Sequence, residues 1–313
     1  MRKCFINCLL FLSICAQAQK TEPIRDTSFS SSNYTVRKWL IGSGSVLGFG
    51  GSFVFLNEAW YKGYPRSPFH TFNDIGEWQQ MDKSGHAWTA YTTSRITSDL
   101  WKWAGVSPNT SVVLGSATGL LYMLSIEYLD GRSAEWGWSW PDAGADITGT
   151  LAYSLQQLAW QHQKFNIKFS GHYKTYHPIS LEQRADSIFG KSLQDRLLKD
   201  YNTQTYWLSF NIHSIFPSIN CPQWLNIAFG YGAEGMFGGY SNVSYDKLGN
   251  VTFDRRDIRR YRQWYLSPDI DLTRIPTKNK FLRSVFSVVN MLKVPAPALM
   301  ISGGKFKLAP IAF

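Results

Sequence analysis

Residues 111–129 read SVVLGSATGLLYMLSIEYL. The run is apolar along its whole length until Glu127, and it is long enough to cross a bilayer as one helix. Gly115 and Gly119 lie four apart, so they share a face on which a second helix can approach closely. The stretch before it predicts such a helix. Over 82–104, Ala87, Tyr91, Ile96, Leu100 and Trp103 recur near helical spacing, and Ser107-Pro108-Asn109 breaks the pattern. The stretch after it, DGRSAEWGWSWP (130–141), is a Trp-rich turn, and Pro141 suits the first turn of a further helix over about 142–161. Further upstream, KWLIGSGSVLGFGGSFVFLNEAW (38–60) is a second membrane-length apolar run, with Gly42, Gly44, Gly48 and Gly51. A buried core helix and a membrane helix fit this run equally well. Residues 61–81 carry Pro65 and Pro68 and read as a loop ending in a short helix. Short loops between helices predict a helical bundle over 37–163.

Beyond residue 164 the pattern changes. FNIKFSGHY (165–173), TYWLSFNIH (205–213), WLNIAFGYG (224–232) and RQWYLSPDIDL (262–272) show the alternation or aromatic content of strands. SLQDRLLKDY (192–201) and FLRSVFSVVNMLKV (281–294) read as amphipathic helices, the second with Leu282, Val285, Phe286, Val289 and Leu292 on one face. The end, KFKLAPIAF, resembles the last strand of an outer-membrane barrel, yet four to six predicted strands fall short of the eight such barrels need. The expected class is α+β: a helical bundle with membrane-length apolar helices, then a strand-rich part over 164–313 with two short amphipathic helices.

The chain has 313 residues, 44% hydrophobic and 17% charged. It is too apolar for a disordered chain, and too polar, at a mean hydropathy of −0.22, for one made mostly of membrane helices. The start, MRKCFINCLLFLSICAQAQK, has the basic, apolar and Ala-Gln-Ala segments of a signal peptide, with cleavage expected after Ala18. Residues 19–36 then form a polar, Ser-rich tail. Cleavage removes Cys4, Cys8 and Cys15, so Cys221 has no partner for a disulfide. It also removes Arg2 and Lys3, lowering the formal charge from +10 to +8. An exported basic protein meets anionic lipid or lipopolysaccharide, with other envelope proteins as further partners, rather than nucleic acid. The expected place is the periplasm or outer membrane, in association with a membrane. Aromatic residues reach 16%, and Trp60, Trp88, Trp101, Trp103, Trp136, Trp138 and Trp140 suit either an interfacial belt or core packing.

The polar residues that carry chemistry lie in the helical part. Asp82 and His86 share a helix face, as do Asp142 and Asp146. Glu127 ends the apolar helix, with Asp130, Arg132 and Ser133 beyond it. A carboxylate among apolar neighbours needs a partner. Three readings fit. Carboxylates and an imidazole bind a divalent ion, although no HExxH or ExxH spacing is present. His86, tuned by a carboxylate, acts in acid–base or nucleophilic catalysis on a phosphorylated lipid or glycan, with Arg132 or Arg95 holding phosphate. Or the group is a buried network in which Arg132, Lys83 and His86 neutralise the acids. The third is preferred, with Asp82, His86, Glu127 and Arg132 as the catalytic candidates of the second and Lys83, Arg95, Asp130, Ser133, Asp142 and Asp146 as the binding ones. No metal or cofactor is expected.

DKSGHAWTAY, IEYLDGRSAEWG and PDAGADITGT, in that order, resemble the YfiM-like family of predicted periplasmic lipoproteins, whose function is unknown. GKSLQDRLLKDYNTQTYWLS and WLNIAFGYGAEGMFGG resemble its long Bacteroidetes-type members, so the likeness covers roughly 60–310. The helical motifs are more distantly similar to VanZ-like membrane proteins, through Asp82, Lys83, His86, Glu127, Arg132, Ser133, Asp142, Asp146 and Gly149. The resemblance implies an envelope location and a helical architecture, and no chemistry. Ile14 stands before Cys15 where a lipobox has a small residue. Ser84-Gly85-His86 with Ser94-Arg95 resembles part of the type-2 phosphatidic acid phosphatase pattern, without its first motif or its final His-Asp. DRRDIRRYR (254–262) reads as a solvated basic face or a contact for anionic lipid, and GYGAEGMFGGYSN (230–242) as a turn between strands. His162, His172, His177 and His213 follow no pattern.

Overall fold

The computed structural model describes residues 31–312. The expected signal peptide, most of the polar tail and Phe313 lie outside them. The elements in chain order are α1 (Ser31–Leu56), α2 (Met81–Trp103), α3 (Pro108–Asp130), α4 (Trp140–Trp160), β1 (Phe165–Gly171), α5 (Ile179–Phe189), α6 (Leu193–Lys199), β2 (Gln204–Asn211), α7 (Ile212–Ile215), β3 (Leu225–Glu234), β4 (Val243–Tyr245), β5 (Val251–Asp254), β6 (Tyr261–Ile270), α8 (Lys280–Val289), β7 (Ala296–Ser302) and β8 (Lys305–Ala312). The fold is α+β, with two long apolar helices towards the N-terminus and an antiparallel sheet in the C-terminal part. Two compact units divide the chain. One holds residues 31–72, Thr89–Gln163 and Leu272–Met291; the other holds Asn73–Trp88, Lys164–Asp271 and Leu292–Phe313. The boundary falls inside α2.

In the helical unit, helix starts follow the sequence. Ser107 caps α3 ahead of Pro108, and Ser139 caps α4 by accepting from the Asp142 amide at 3.1 Å. The α2–α3 crossing is close because the facing residues are small. A Cβ at Gly119 would lie 2.5 Å from Ser94 Oγ, and Thr97 Oγ1 donates to the Gly115 carbonyl at 2.9 Å. Ile41 of α1 packs with Leu100 and Ala104, and Phe49 stacks on Tyr122 at 4.7 Å. Arg37 also donates to the Trp103 carbonyl and Phe53 packs on Tyr122, while the opposite side of α1 is bare, Trp39 and Leu47 each being 75% exposed.

The sheet unit is an antiparallel meander in the order β1-β2-β3-β6-β7-β8, with β4–β5 a separate hairpin between β3 and β6. Its middle register runs Ile167–Leu208–Phe229–Leu266–Leu299–Leu308, and the next outward rung runs Phe169–Tyr206–Tyr231–Trp264–Ile301–Phe306. Residues that alternate with these along each strand point to the other face, and there Asn166, Lys168, Ser209, Asn226, Ser267 and Asp269 are all buried. The sheet is strongly rolled. In a flat sheet β1 and β6 would stand roughly 14 Å apart, three strand spacings, yet Lys168 Nζ reaches Asp269 Oδ2 at 2.8 Å across that gap. The concave inside is therefore the face that carries these polar residues, together with a buried cluster of Trp207, Ala228, Ala298 and Ala312.

Candidate functional site

The first polar group belongs to the sheet unit and is built on the opening turns of α2. Lys83 Nζ lies 2.6 Å from Asp74 Oδ2 and 3.4 Å from Asp82 Oδ2. Tyr201 donates to Asp82 Oδ1 at 2.7 Å, and His86 Nε2 stands 3.9 Å from the same oxygen. Burial by itself would raise the Asp82 pKa. His86, Lys83 and the Tyr201 hydroxyl outweigh it and hold the carboxyl below its usual range. Glu77 goes the other way. Burial first, then the negative charges of Asp74 and Asp82, push it up to about 7 against Lys83 and Arg260. The side chains of Lys83, His86 and Asp82 are 12%, 14% and 25% exposed, so the group is mostly closed to solvent.

The backbone leading into this group is strained. Trp78, Gln79 and Gln80 have φ of 45°, 55° and 63°, three successive non-glycine residues in the left-handed region. The expected short helix before α2 is thus a left-handed turn. Tertiary contacts hold it there. Trp78 packs against Phe189 and Tyr201, Tyr231 donates to the Gln79 carbonyl, and Gln80 Nε2 donates to the Ile75 carbonyl at 2.6 Å. Gly85 faces Tyr206, whose hydroxyl would lie 2.9 Å from a Cβ at that position.

The second polar group belongs to the helical unit. Glu127 is 1% exposed, and its Oε2 accepts from the Ser139 amide at 3.1 Å. It thereby fixes the residue whose hydroxyl caps α4. Asp142 and Asp146 are buried in the first turns of α4. Tyr61 donates to Asp130 Oδ1 at 2.8 Å, and buried Ser133 receives the Glu135 amide at 3.4 Å. Arg132 does not neutralise these acids. It is exposed, and among the described residues its side chain makes no ion pair. Arg95 is engaged in structure, donating to Ser287 O and Oγ at 2.8 and 2.9 Å and so tying α2 to α8. Donors suited to a cation are Asp82 and His86 in one unit and the carboxylates Glu127, Asp142 and Asp146 in the other.

A third group escaped the sequence reading. Inside the rolled sheet, Asp269 accepts from Ser209 Oγ at 2.6 Å and meets Lys168 at 2.8 Å and Lys293 at 3.8 Å, all three charged side chains being fully buried. Each lysine also donates to carbonyls, Lys168 to Ile270 at 2.7 Å and Lys293 to Pro268 and Val294 at 2.9 and 2.7 Å. Burial lowers the Lys293 pKa, and Asp269 opposes that. Alternation in FNIKFS placed Lys168 opposite the apolar residues, but it does not say which face is inside. Arg196 is a similar clamp, with Glu182 and Asp186 at 3.0 and 2.8 Å. In the basic run 254–262, Arg255 and Arg256 pair with Asp257 and Asp254, so part of that charge is neutralised locally. The Gly-rich 230–242 segment completes β3 and then turns at Gly235, φ 81°.

No family model, curated protein or solved structure matches this chain.

Proposed function

We propose that the chain is an exported cell-envelope protein with a structural or interaction role at a membrane, its polar groups serving as closed networks that hold each unit. The observation that carries this is the bareness of α1. Tyr34–Leu56 is membrane-length and apolar, with only 6% of its most apolar window buried. A soluble core helix would hide that surface. α3 has the same hydropathy with a third of its window buried, as a helix does when it touches both protein and lipid. The extensive burial of Lys83, His86 and Glu127 supports the network role.

The test is fractionation of the full chain beside a Trp39→Asp/Leu47→Asp variant. Both side chains are exposed, so folding is retained. The expected result is loss of the variant from the membrane fraction while the parent stays in it through alkaline carbonate. Equal partition of the two overturns the reading.

One observation favours the rival, an envelope enzyme acting on a phosphorylated lipid or glycan. A carboxyl held near neutral pH, Glu77, stands by the Asp82–His86 pair. His86→Ala and Glu127→Ala separate the two. A network loses abundance and thermal stability with either change. An enzyme stays folded and fails to rescue a deletion strain.

A further inference from the structure

Resting on that membrane reading, we infer that the rolled sheet lies against lipid, the exposed part of its convex face meeting acyl chains. Two features of the sheet point to this occupant. The first is inverted polarity. A water-soluble sheet hides its apolar face and wets its polar one, whereas here the concave side holds Lys168, Asp269, Asn226 and Ser209 and the convex side carries Leu208, Phe229, Leu299 and Leu308. The buried charges and amides are hydrogen-bonded to one another and to carbonyls, as spanning strands require of any polar group they enclose. The second is layout. Seven of the twelve residues of the two outward rungs are 39–84% exposed and none of the twelve is charged, while Tyr206 is buried and Phe169 and Tyr231 are partly buried in a cluster with Met81 and Trp88, so the free part of this face lies towards β6, β7 and β8. Strands of seven to ten residues approach the length of lipid-spanning strands. Tyr231, Trp264 and Phe306 form the rung nearest the end where Arg262, Glu234 and Lys305 stand, which is an aromatic rim beside charge.

The experiment places nitroxide labels on the full chain, with Cys4, Cys8, Cys15 and Cys221 changed to Ser, in vesicles of phosphatidylethanolamine and phosphatidylglycerol. Labels go on Phe229→Cys, Leu299→Cys and Leu308→Cys, one in each of three separate single-cysteine variants and on three different strands, so misfolding of one does not decide the result. Leu248→Cys, 87% exposed in the hairpin turn, is the water control. The expected result is flotation with the vesicles, with oxygen colliding several-fold more than a nickel chelate at the three sheet sites and the reverse at Leu248. If the protein floats and the sheet labels favour the nickel chelate, the sheet is in water and the inference fails while the membrane reading stands. If it floats with strong label–label broadening at the sheet sites, a second copy covers the face and the inference also fails. If it does not float, both fail.

Discussion

Asp269 holds two buried lysines at once, which makes it the most exposed point of failure in the sheet unit. Asp269→Ala leaves Lys168 and Lys293 as uncompensated buried charges, and the expected loss is about 3–5 kcal/mol, read from chemical or thermal unfolding in detergent. Lys168→Met together with Asp269→Leu removes one charge of each sign and recovers part of that loss. Glu77 gives a pH signature. A carboxyl with a higher pKa folded than unfolded binds its proton more tightly when folded, so its contribution is full below its ordinary value of 4.5 and is lost as pH rises through about 7. Melting temperature should fall over that interval, and Glu77→Gln should flatten the fall by an amount worth about 1–2 kcal/mol after allowance for solvent screening. If the slope persists in Glu77→Gln, another group is titrating. Gln79 is strained at φ 55°, and Gln79→Gly should stabilise the protein by about 1 kcal/mol, because glycine enters the left-handed region without steric cost. A destabilised glycine variant would mean that the Gln79 side chain, not the backbone contacts, holds the turn. None of these three roles was legible beforehand. Sequence spacing found Asp82, Lys83 and His86, but their partners Asp74 and Tyr201 come from a loop and a distant segment, which no periodicity links.

Elements were easier to read than residues. The apolar runs, the Ser-Pro start of α3 and the Ser-Trp-Pro start of α4 fixed α2, α3 and α4 to within a few residues, because caps and period act locally, whereas α1 begins at Ser31, inside the expected polar tail, and α5 was not read. Strands β1, β2, β3 and β6 were also visible. β7, APALMIS, was not, since Pro297 and three small or flexible residues blur its alternation. The β4–β5 hairpin is too short and polar to announce itself. The close helix crossing gives an element-scale prediction. Gly119→Val drives a branched side chain into Ser94 and should cost about 1–3 kcal/mol as the two helices shift apart. Gly144, with nothing within 4 Å of a Cβ, is the control, and Gly144→Ala should be neutral or slightly stabilising by thermal melting. Equal effects at both positions would mean the crossing is looser than its geometry implies.

For the whole molecule, the α+β class and the order of helices before strands were legible, while the inside of the sheet was not. Alternation defines two faces, and in most sheets the apolar one turns inward. The rolled sheet reverses it. Only the long reach from Lys168 to Asp269 reveals the curvature that decides which face is inside. Of the polar residues singled out in the sequence, Asp82, Lys83 and His86 are counted with the sheet unit and Glu127, Asp142 and Asp146 with the helical unit.

That division has a consequence for biosynthesis. Neither unit is a continuous piece of chain. The segment Asn73–Trp88 leaves the ribosome well before the strands it is counted with, and Leu272–Met291 follows nearly all of them although it belongs with the helices. The helical unit therefore waits for residues made after β6, and the sheet unit waits for β8. Neither unit can be complete before its last residues, near the end of the chain, have been made, so the assembly of both finishes late in synthesis or after it.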